Sequence, residues 1–124
     1  LMKNQKALVL FAHGARDPRW AQPFQKLQGI AQSSLPDAVV ELAFLELMEP
    51  RLQAVVAQLV ERGCTEISVV PVFLGQGGHV LRDLPPMMES LRTEYPSLSL
   101  RVSDAVGESP AVLDAIAAYC VSRL

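Results

Sequence analysis

An α/β fold built on an all-parallel sheet is predicted by three features of the sequence. Four apolar runs suited to strands alternate with four stretches of helical periodicity, the (βα)4 order that lays helices over a parallel sheet. The first run, Ala7-Leu8-Val9-Leu10-Phe11-Ala12, is apolar without a break, as a strand covered on both faces requires. The fourth, Leu98-Ser99-Leu100-Arg101-Val102-Ser103, alternates apolar and polar, which marks an edge strand with one wet face. Right-handed crossovers then favour the strand order 2-1-3-4, half of a doubly wound fold, with helices on both faces. A length of 124 residues suits one small domain over 1–124, with residues 1–5 expected as a flexible start.

Each element follows from local signals. Strand 1, over residues 7–12, exits into His13-Gly14-Ala15-Arg16-Asp17-Pro18. Asp17 can cap a helix there, with Pro18 at its first position. Phe24, Leu27, Ala31 and Leu35 recur at helical spacing, and Pro36 stops the helix. Strand 2, over 39–45, leaves through Glu46-Leu47-Met48-Glu49, and Pro50 opens the second helix. Its apolar stripe is Leu52, Val55, Val56, Leu59 and Val60, and Gly63 sits where a left-handed terminal residue belongs. Strand 3 runs over about 66–74 and is rich in β-branched residues; Gly75-Gln76-Gly77-Gly78-His79 breaks it. The third helix points Leu84, Met87, Met88 and Leu91 inward, and Pro85-Pro86 set its expected start near Asp83. Strand 4 covers 98–103. Ser109-Pro110 caps the last helix, with Leu113, Ile116, Ala117, Cys120 and Leu124 expected to face the core.

Composition excludes several classes. Half of the residues are hydrophobic (50%) and 19% are charged, so the chain buries a core and is not disordered. The formal net charge of −2 carries no basic excess, so no nucleic-acid partner is expected. No apolar run approaches the roughly 20 residues of a membrane span, and the first residues lack the apolar centre of a signal peptide. The two cysteines, Cys64 and Cys120, form no C-x-x-C pair, which argues against a zinc knuckle or a thioredoxin-type site. The reading is a soluble cytoplasmic protein with free thiols and no membrane partner.

In such sheets ligands bind outside the carboxyl ends of the strands, at the switch point, which lies here between strands 1 and 3. The polar residues leaving those ends are His13, then Glu46, then Gln76 and His79, then Asp104 and Glu108. The only two histidines of the chain thus flank the switch point. Two imidazoles and a carboxylate suit Co²⁺, Ni²⁺, Fe²⁺ or Zn²⁺, and neutral imidazole accepts a proton near pH 7. Glycine lets backbone approach a ligand closely, so Gly14, Gly77 and Gly78 fit the same site. Arg16, Arg19 and Arg82 lie near that rim and can meet carboxylates or phosphates. Blander readings stand beside these. Each histidine can be a loop residue bonded to backbone, Glu46 a solvated carboxylate, Gln76-Gly77-Gly78 a plain turn, and each arginine a surface residue. No phosphate-loop or dinucleotide fingerprint is present. Glu49 suits a helix start, Trp20 packing, and Met87 with Met88 a helix core.

The motifs resemble a known family. His13-Gly14-Ala15-Arg16-Asp17-Pro18 is similar to its H-G-S-R-D-P signature. Residues 43–50, Ala-Phe-Leu-Glu-Leu-Met-Glu-Pro, resemble its second motif, and Val70-Pro71-Val72-Phe73-Leu74 followed by Gly77-Gly78-His79-Val80 resembles its third. The family is the short CbiX-type sirohydrochlorin cobaltochelatases, with the related sirohydrochlorin ferrochelatases. The resemblance implies a class II chelatase half-domain and ATP-independent insertion of Co²⁺, or of Fe²⁺ or Ni²⁺, into sirohydrochlorin, in cobalamin or siroheme biosynthesis. It implies no permanently bound cofactor, the metal being a substrate. It also implies a homodimer with the tetrapyrrole between the halves, since longer members hold two such halves in one chain. His13 and His79 carry over as metal-binding and catalytic histidines, and Glu46 as their acidic partner. Arg16, Gln76, Gly77, Gly78 and Arg82 are the expected substrate contacts. Ala15 replaces the usual serine, and Gly75-Gln76 replaces more apolar small residues. Ala15 keeps open a second reading, a metal- or tetrapyrrole-binding module without turnover. A phosphoryl-transfer enzyme is a third, but histidine phosphatases carry arginine before the histidine, where Ala12 stands.

Overall fold

The structure is a computed structural model that describes residues 5–75 and 77–124, with the side chains at 5, 78, 79 and 81 outside the description. Four parallel strands, β1 (Gln5–Ala12), β2 (Ala38–Phe44), β3 (Cys64–Pro71) and β4 (Ser99–Val102), form one sheet in the order β2-β1-β3-β4. The expected order is therefore found, with β4 at the edge. In register, Ala7 faces Val39 of β2 on one side and Ile67 of β3 on the other. β1 is the central strand because its residues can be buried on both sides: Val9, Leu10, Phe11 and Ala12 are each 0–4% exposed.

The two faces have separate cores. Ala7, Val9 and Phe11 join Ile67 and Val69 under α2 (Leu52–Glu61) and α3 (Gly78–Glu94). α2 contributes Leu52, Val55, Val56 and Leu59, and α3 contributes Val80, Leu84, Met88 and Leu91. Leu10, Ala12, Val40, Leu42 and Phe44 face the other way, toward α1 (Gln22–Ser33), where Trp20, Phe24, Ala31 and Leu35 pack partly buried. Leu27, in the same helical series, is 38% exposed. Met88 is fully buried, so Met88→Ala is expected to cost about 2–5 kcal/mol of stability, read from urea unfolding midpoints.

Several boundaries differ from expectation. α3 begins at Gly78, not near Asp83. Pro85 and Pro86 lie inside it, each missing one N–H. Both are exposed, so water can satisfy the carbonyls they leave, and the apolar anchors Val80, Leu84 and Met88 hold the helix through them. α2 begins at Leu52, after Arg51, rather than at Pro50. β3 ends at Pro71, short of residue 74. Asp17 caps a 3₁₀ turn, Pro18–Ala21, by accepting the Arg19 N–H at 2.9 Å. Gly63 takes the expected left-handed conformation, φ +94°.

The largest departure is α4 (Pro110–Ser122). None of its residues is buried, so Leu113, Ile116, Ala117, Cys120 and the following Leu124 do not face the core. The helix packs chiefly on the 3₁₀ turn Val106–Glu108 rather than on the sheet. The sheet face available to it is polar at β4, where Ser99, Arg101 and Ser103 are exposed and Arg101 donates to Ser68 Oγ at 3.5 Å. No helix among the described residues is long and apolar enough to cross a membrane.

Candidate functional site

The parallel register of β1 and β2 carries their two functional candidates to one place. Pairing continues past the strand ends: Leu45 N–H donates to Ala12 O at 2.8 Å, and Glu46 N–H donates to His13 O at 3.0 Å. His13 and Glu46 therefore leave adjacent strands side by side at the carboxyl edge. Both are half-buried. On the other side of β1, Val72 N–H donates to Phe11 O at 2.9 Å, which brings the β3 exit against the same loop. There the Phe73 ring packs on the His13 imidazole, with centroids 4.4 Å apart and planes inclined by 41°. That contact fixes a face of the imidazole and leaves its nitrogens at the ring edge for other partners.

Two glycines hold these loops in close approach. Gly14 has φ +100°, and a Cβ there would lie 1.8 Å from the Glu46 carbonyl oxygen. Gly107, beyond β4, donates its N–H to Phe73 O at 3.2 Å, and a Cβ on it would lie 1.7 Å from Leu74 O. Leu47, next to Glu46, is a non-glycine residue at φ +66°, a conformation that costs a leucine about 1–2 kcal/mol. Strain therefore sits at the Glu46 loop, and surrounding contacts must hold it. Neither Phe73 as the partner of His13 nor Gly107 as the brace of Phe73 was singled out by the sequence. Both depend on contacts between loops far apart in the chain, which periodicity does not encode.

The remaining candidates distribute unevenly. The backbone places His79 in the first turn of α3, after Gly77 at the helix N-cap, so it returns to the carboxyl edge. Its side chain, and Gln76 entirely, lie outside the described residues. Gly77 is exposed, and among the described residues nothing lies within 4 Å of a hypothetical Cβ. Gly78 is the first residue of α3. Arg16 is exposed in the loop after His13. Arg82 is exposed and pairs with Asp83 at 3.3 Å. Arg19 is engaged by Asp17, whose carboxylate takes its guanidinium at 2.6 Å; that guanidinium lowers the Asp17 pKa. Asp104 and Glu108 are exposed. Among the described residues no three His, Cys, Asp or Glu side chains converge as a metal cage.

Concavities near the edge are shallow. Glu46 lines a cleft of about 450 Å³ together with Arg51, Gln53, Asp83 and Pro86. A separate groove of about 330 Å³ between α3 and β4 contains Leu84, Met88 and Arg92 and, of the described rim candidates, Asp104 alone. Two exposed leucines, Leu47 and Leu74, follow directly on the β2 and β3 exits and give the rim an apolar surface. Neither Cys64 nor Cys120 is in a disulfide; burial pushes the Cys64 thiol up, and Cys64 is remote from this edge at the start of β3.

Known proteins share this architecture. The CbiX protein of Marinobacter aquaeolei VT8 superposes with a TM-score of 0.84 at 31% identity, covering 95% of this chain and 96% of that one. The sirohydrochlorin chelatase SirB of Bacillus subtilis subspecies spizizenii, solved in complex with cobalt, superposes at 0.81 with 25% identity, over 95% of this chain and 50% of its own. The sirohydrochlorin cobaltochelatase of Methanopyrus kandleri is 40% identical over 82 residues, which make up 66% of this chain and 57% of that protein. The sirohydrochlorin ferrochelatase of Bacillus subtilis is 27% identical over 112 residues, 90% of this chain and 43% of that protein. The chain thus spans about half the length of curated relatives that it matches. The family model named CbiX matches residues 7–121, nearly the whole folded unit, and the chain belongs to the CbiX family.

Proposed function

We propose that the protein is an ATP-independent metallochelatase that inserts Co²⁺, or Fe²⁺ or Ni²⁺, into sirohydrochlorin in the cytoplasm. The observation that carries this reading is the backbone bond from Glu46 N–H to His13 O at 3.0 Å, which brings a histidine and a glutamate from adjacent exit loops together at the carboxyl edge of a CbiX-family fold. The relatives named as cobaltochelatases and ferrochelatases support the substrate class.

The chemistry assigns roles to the chain's own residues. A dication entering the macrocycle displaces two pyrrole N–H protons, so the metal and a ring carrying both N–H groups give the metallated ring and two protons. His13 and His79 hold the metal and, once it has passed to the ring, take those protons, which go on to water; Glu46 ligates, orients a histidine or relays a proton. Holding metal and macrocycle within a few ångströms supplies much of the rate by proximity. Leu47 and Leu74 offer an apolar seat to the flat ring. Arg16 and Arg82 meet its carboxylates, and Gln76, Gly77 and Gly78 are the further proposed substrate contacts. A net charge of −2 gives no general attraction to such an anion, so recognition is local. One copy supplies one wall, and a second copy supplies the other.

The test is anaerobic. Protein, sirohydrochlorin and each metal are mixed, and the absorption change on insertion is followed against a blank without protein. Acceleration supports the chelatase. Tight binding of metal or ring without acceleration supports instead the binding module that Ala15 keeps open. Leu74→Asp is expected to raise KM for the tetrapyrrole roughly tenfold, the equivalent of about 1.4 kcal/mol of lost apolar contact. An unchanged KM would remove Leu74 from the seat.

A further inference from the structure

We infer that Arg51 is a further substrate-binding residue, which takes a carboxylate of the tetrapyrrole in the cleft it shares with Glu46. The inference rests on the substrate class proposed above and adds to it a contact that the sequence did not single out.

Local structure explains why Arg51 stands there. Arg51 lies in extended backbone just before α2, at φ −84° and ψ 159°. It pairs with Phe44 across the neck of the Glu46 loop, where Phe44 N–H donates to Pro50 O at 2.9 Å. The chain thus leaves β2 at Phe44 and returns beside it at Arg51. From there the side chain reaches back, and its Nη1 donates to Leu45 O at 3.4 Å. Arg51 and Glu46 are therefore brought to one cleft of about 450 Å³ from opposite ends of the same loop.

Donors outnumber partners at this position. A guanidinium carries five N–H donors. Among the described residues Arg51 uses one of them, in a long bond, and forms no ion pair within 4 Å. Other arginines are answered by acids: Arg19 by Asp17, Arg62 by Glu41 and Arg82 by Asp83. To reach Arg82 an incoming carboxylate competes with Asp83. To reach Arg51 it competes with no acidic side chain among the described residues.

The lining suits a carboxylate carried on a short alkyl arm. Pro86 and Met87 of α3 supply apolar surface, and Gln53 adds a neutral amide. Glu46 and Asp83 by themselves would repel an anion. Arg51 is the one cation among the described lining residues, so it decides whether an anionic arm can enter. Its planar fork can meet a carboxylate through two parallel N–H bonds, which a lysine cannot do. The cleft takes an arm rather than the macrocycle, whose proposed seat is on Leu47 and Leu74 at the rim.

The test uses the whole chain and metal-free sirohydrochlorin, with binding read by equilibrium dialysis before any metal is added. Arg51→Met keeps much of the aliphatic stem and is expected to raise the Kd for the ring about tenfold, the loss of one charge-assisted pair. Arg51→Lys keeps the charge without the fork and should recover part of that loss. Arg62→Met, at the far end of α2, should bind the ring as the parent does. The Kd for Co²⁺ alone should stay within about twofold of the parent in Arg51→Met. A parallel loss of Co²⁺ and ring affinity would make Arg51 a support of the Glu46 loop and overturn the assignment. So would an unchanged ring Kd in Arg51→Met, or a parent chain that binds no ring. Acceleration of insertion that is indifferent to Arg51 sinks this inference alone. Ring binding that depends on Arg51 in a chain that never accelerates insertion upholds it and sinks the chelatase reading.

Discussion

His13→Ala is expected to slow metal insertion by about 10²–10⁴-fold while the protein stays folded. The fold should tolerate the change because His13 contributes to the framework through its backbone. Its carbonyl accepts the Glu46 N–H at 3.0 Å, and alanine keeps that bond. What disappears is the imidazole on Phe73, and with it one metal ligand and one proton acceptor. His79→Ala should act with similar size, because the proposed reaction releases two protons and each histidine takes one. If the two work as a unit, the double variant should be little slower than either single one, since groups sharing a step are not additive. Stopped-flow absorption under anaerobic conditions gives the rates, circular dichroism the folding control, and titration with Co²⁺ the loss of affinity. Insertion within a few-fold of the parent in both variants would remove the histidines from the mechanism. A loss confined to metal affinity, with the saturated rate unchanged, would leave them as ligands and assign the protons elsewhere.

The sequence made the sheet and its rim legible for a physical reason. The unbroken run 7–12 could only be a strand covered on both faces, and it became the central strand. The polar alternation at Leu98–Ser103 suits an edge strand with one wet face, and β4 is one. Once strand order is set, parallel register brings the residues after each strand to the same edge, so the placement of His13, Glu46 and the His79 backbone was readable without any contact being known. The helices were harder. Pro85-Pro86 normally marks a helix start, but α3 is anchored one turn earlier by Val80, and its proline face is wet. α4 misled because a helix apolar on all sides has no stripe to orient it. Local pattern identified it as a helix and left its neighbour undetermined. The braces at Phe73 and Gly107 are tertiary contacts between exit loops, and no spacing rule points to them.

Gly14→Ala is expected to damage both stability and insertion, and its contrast with Gly77→Ala separates backbone geometry from substrate access. At Gly14 two costs combine. The φ of +100° is outside the range that an L side chain adopts easily, which alone costs about 1–3 kcal/mol. The new methyl would also lie 1.8 Å from the Glu46 carbonyl oxygen, so the two exit loops must separate. Separation breaks or stretches the Glu46 N–H to His13 O bond, the contact that ties the two exit loops together. Insertion should therefore fall further than the fraction of folded protein does. At Gly77, φ is −70° and a Cβ meets nothing within 4 Å among the described residues. Gly77→Ala should leave the unfolding midpoint within about 0.5 kcal/mol of the parent, as for a surface substitution that touches nothing. Any loss of insertion there reads directly as a methyl obstructing the tetrapyrrole. Urea unfolding and the anaerobic rate, measured on both variants, decide the matter. If Gly14→Ala is stable and active, the close approach of the two loops is not what organises the site. If Gly77→Ala keeps the parent KM, the ring does not pass over the start of α3.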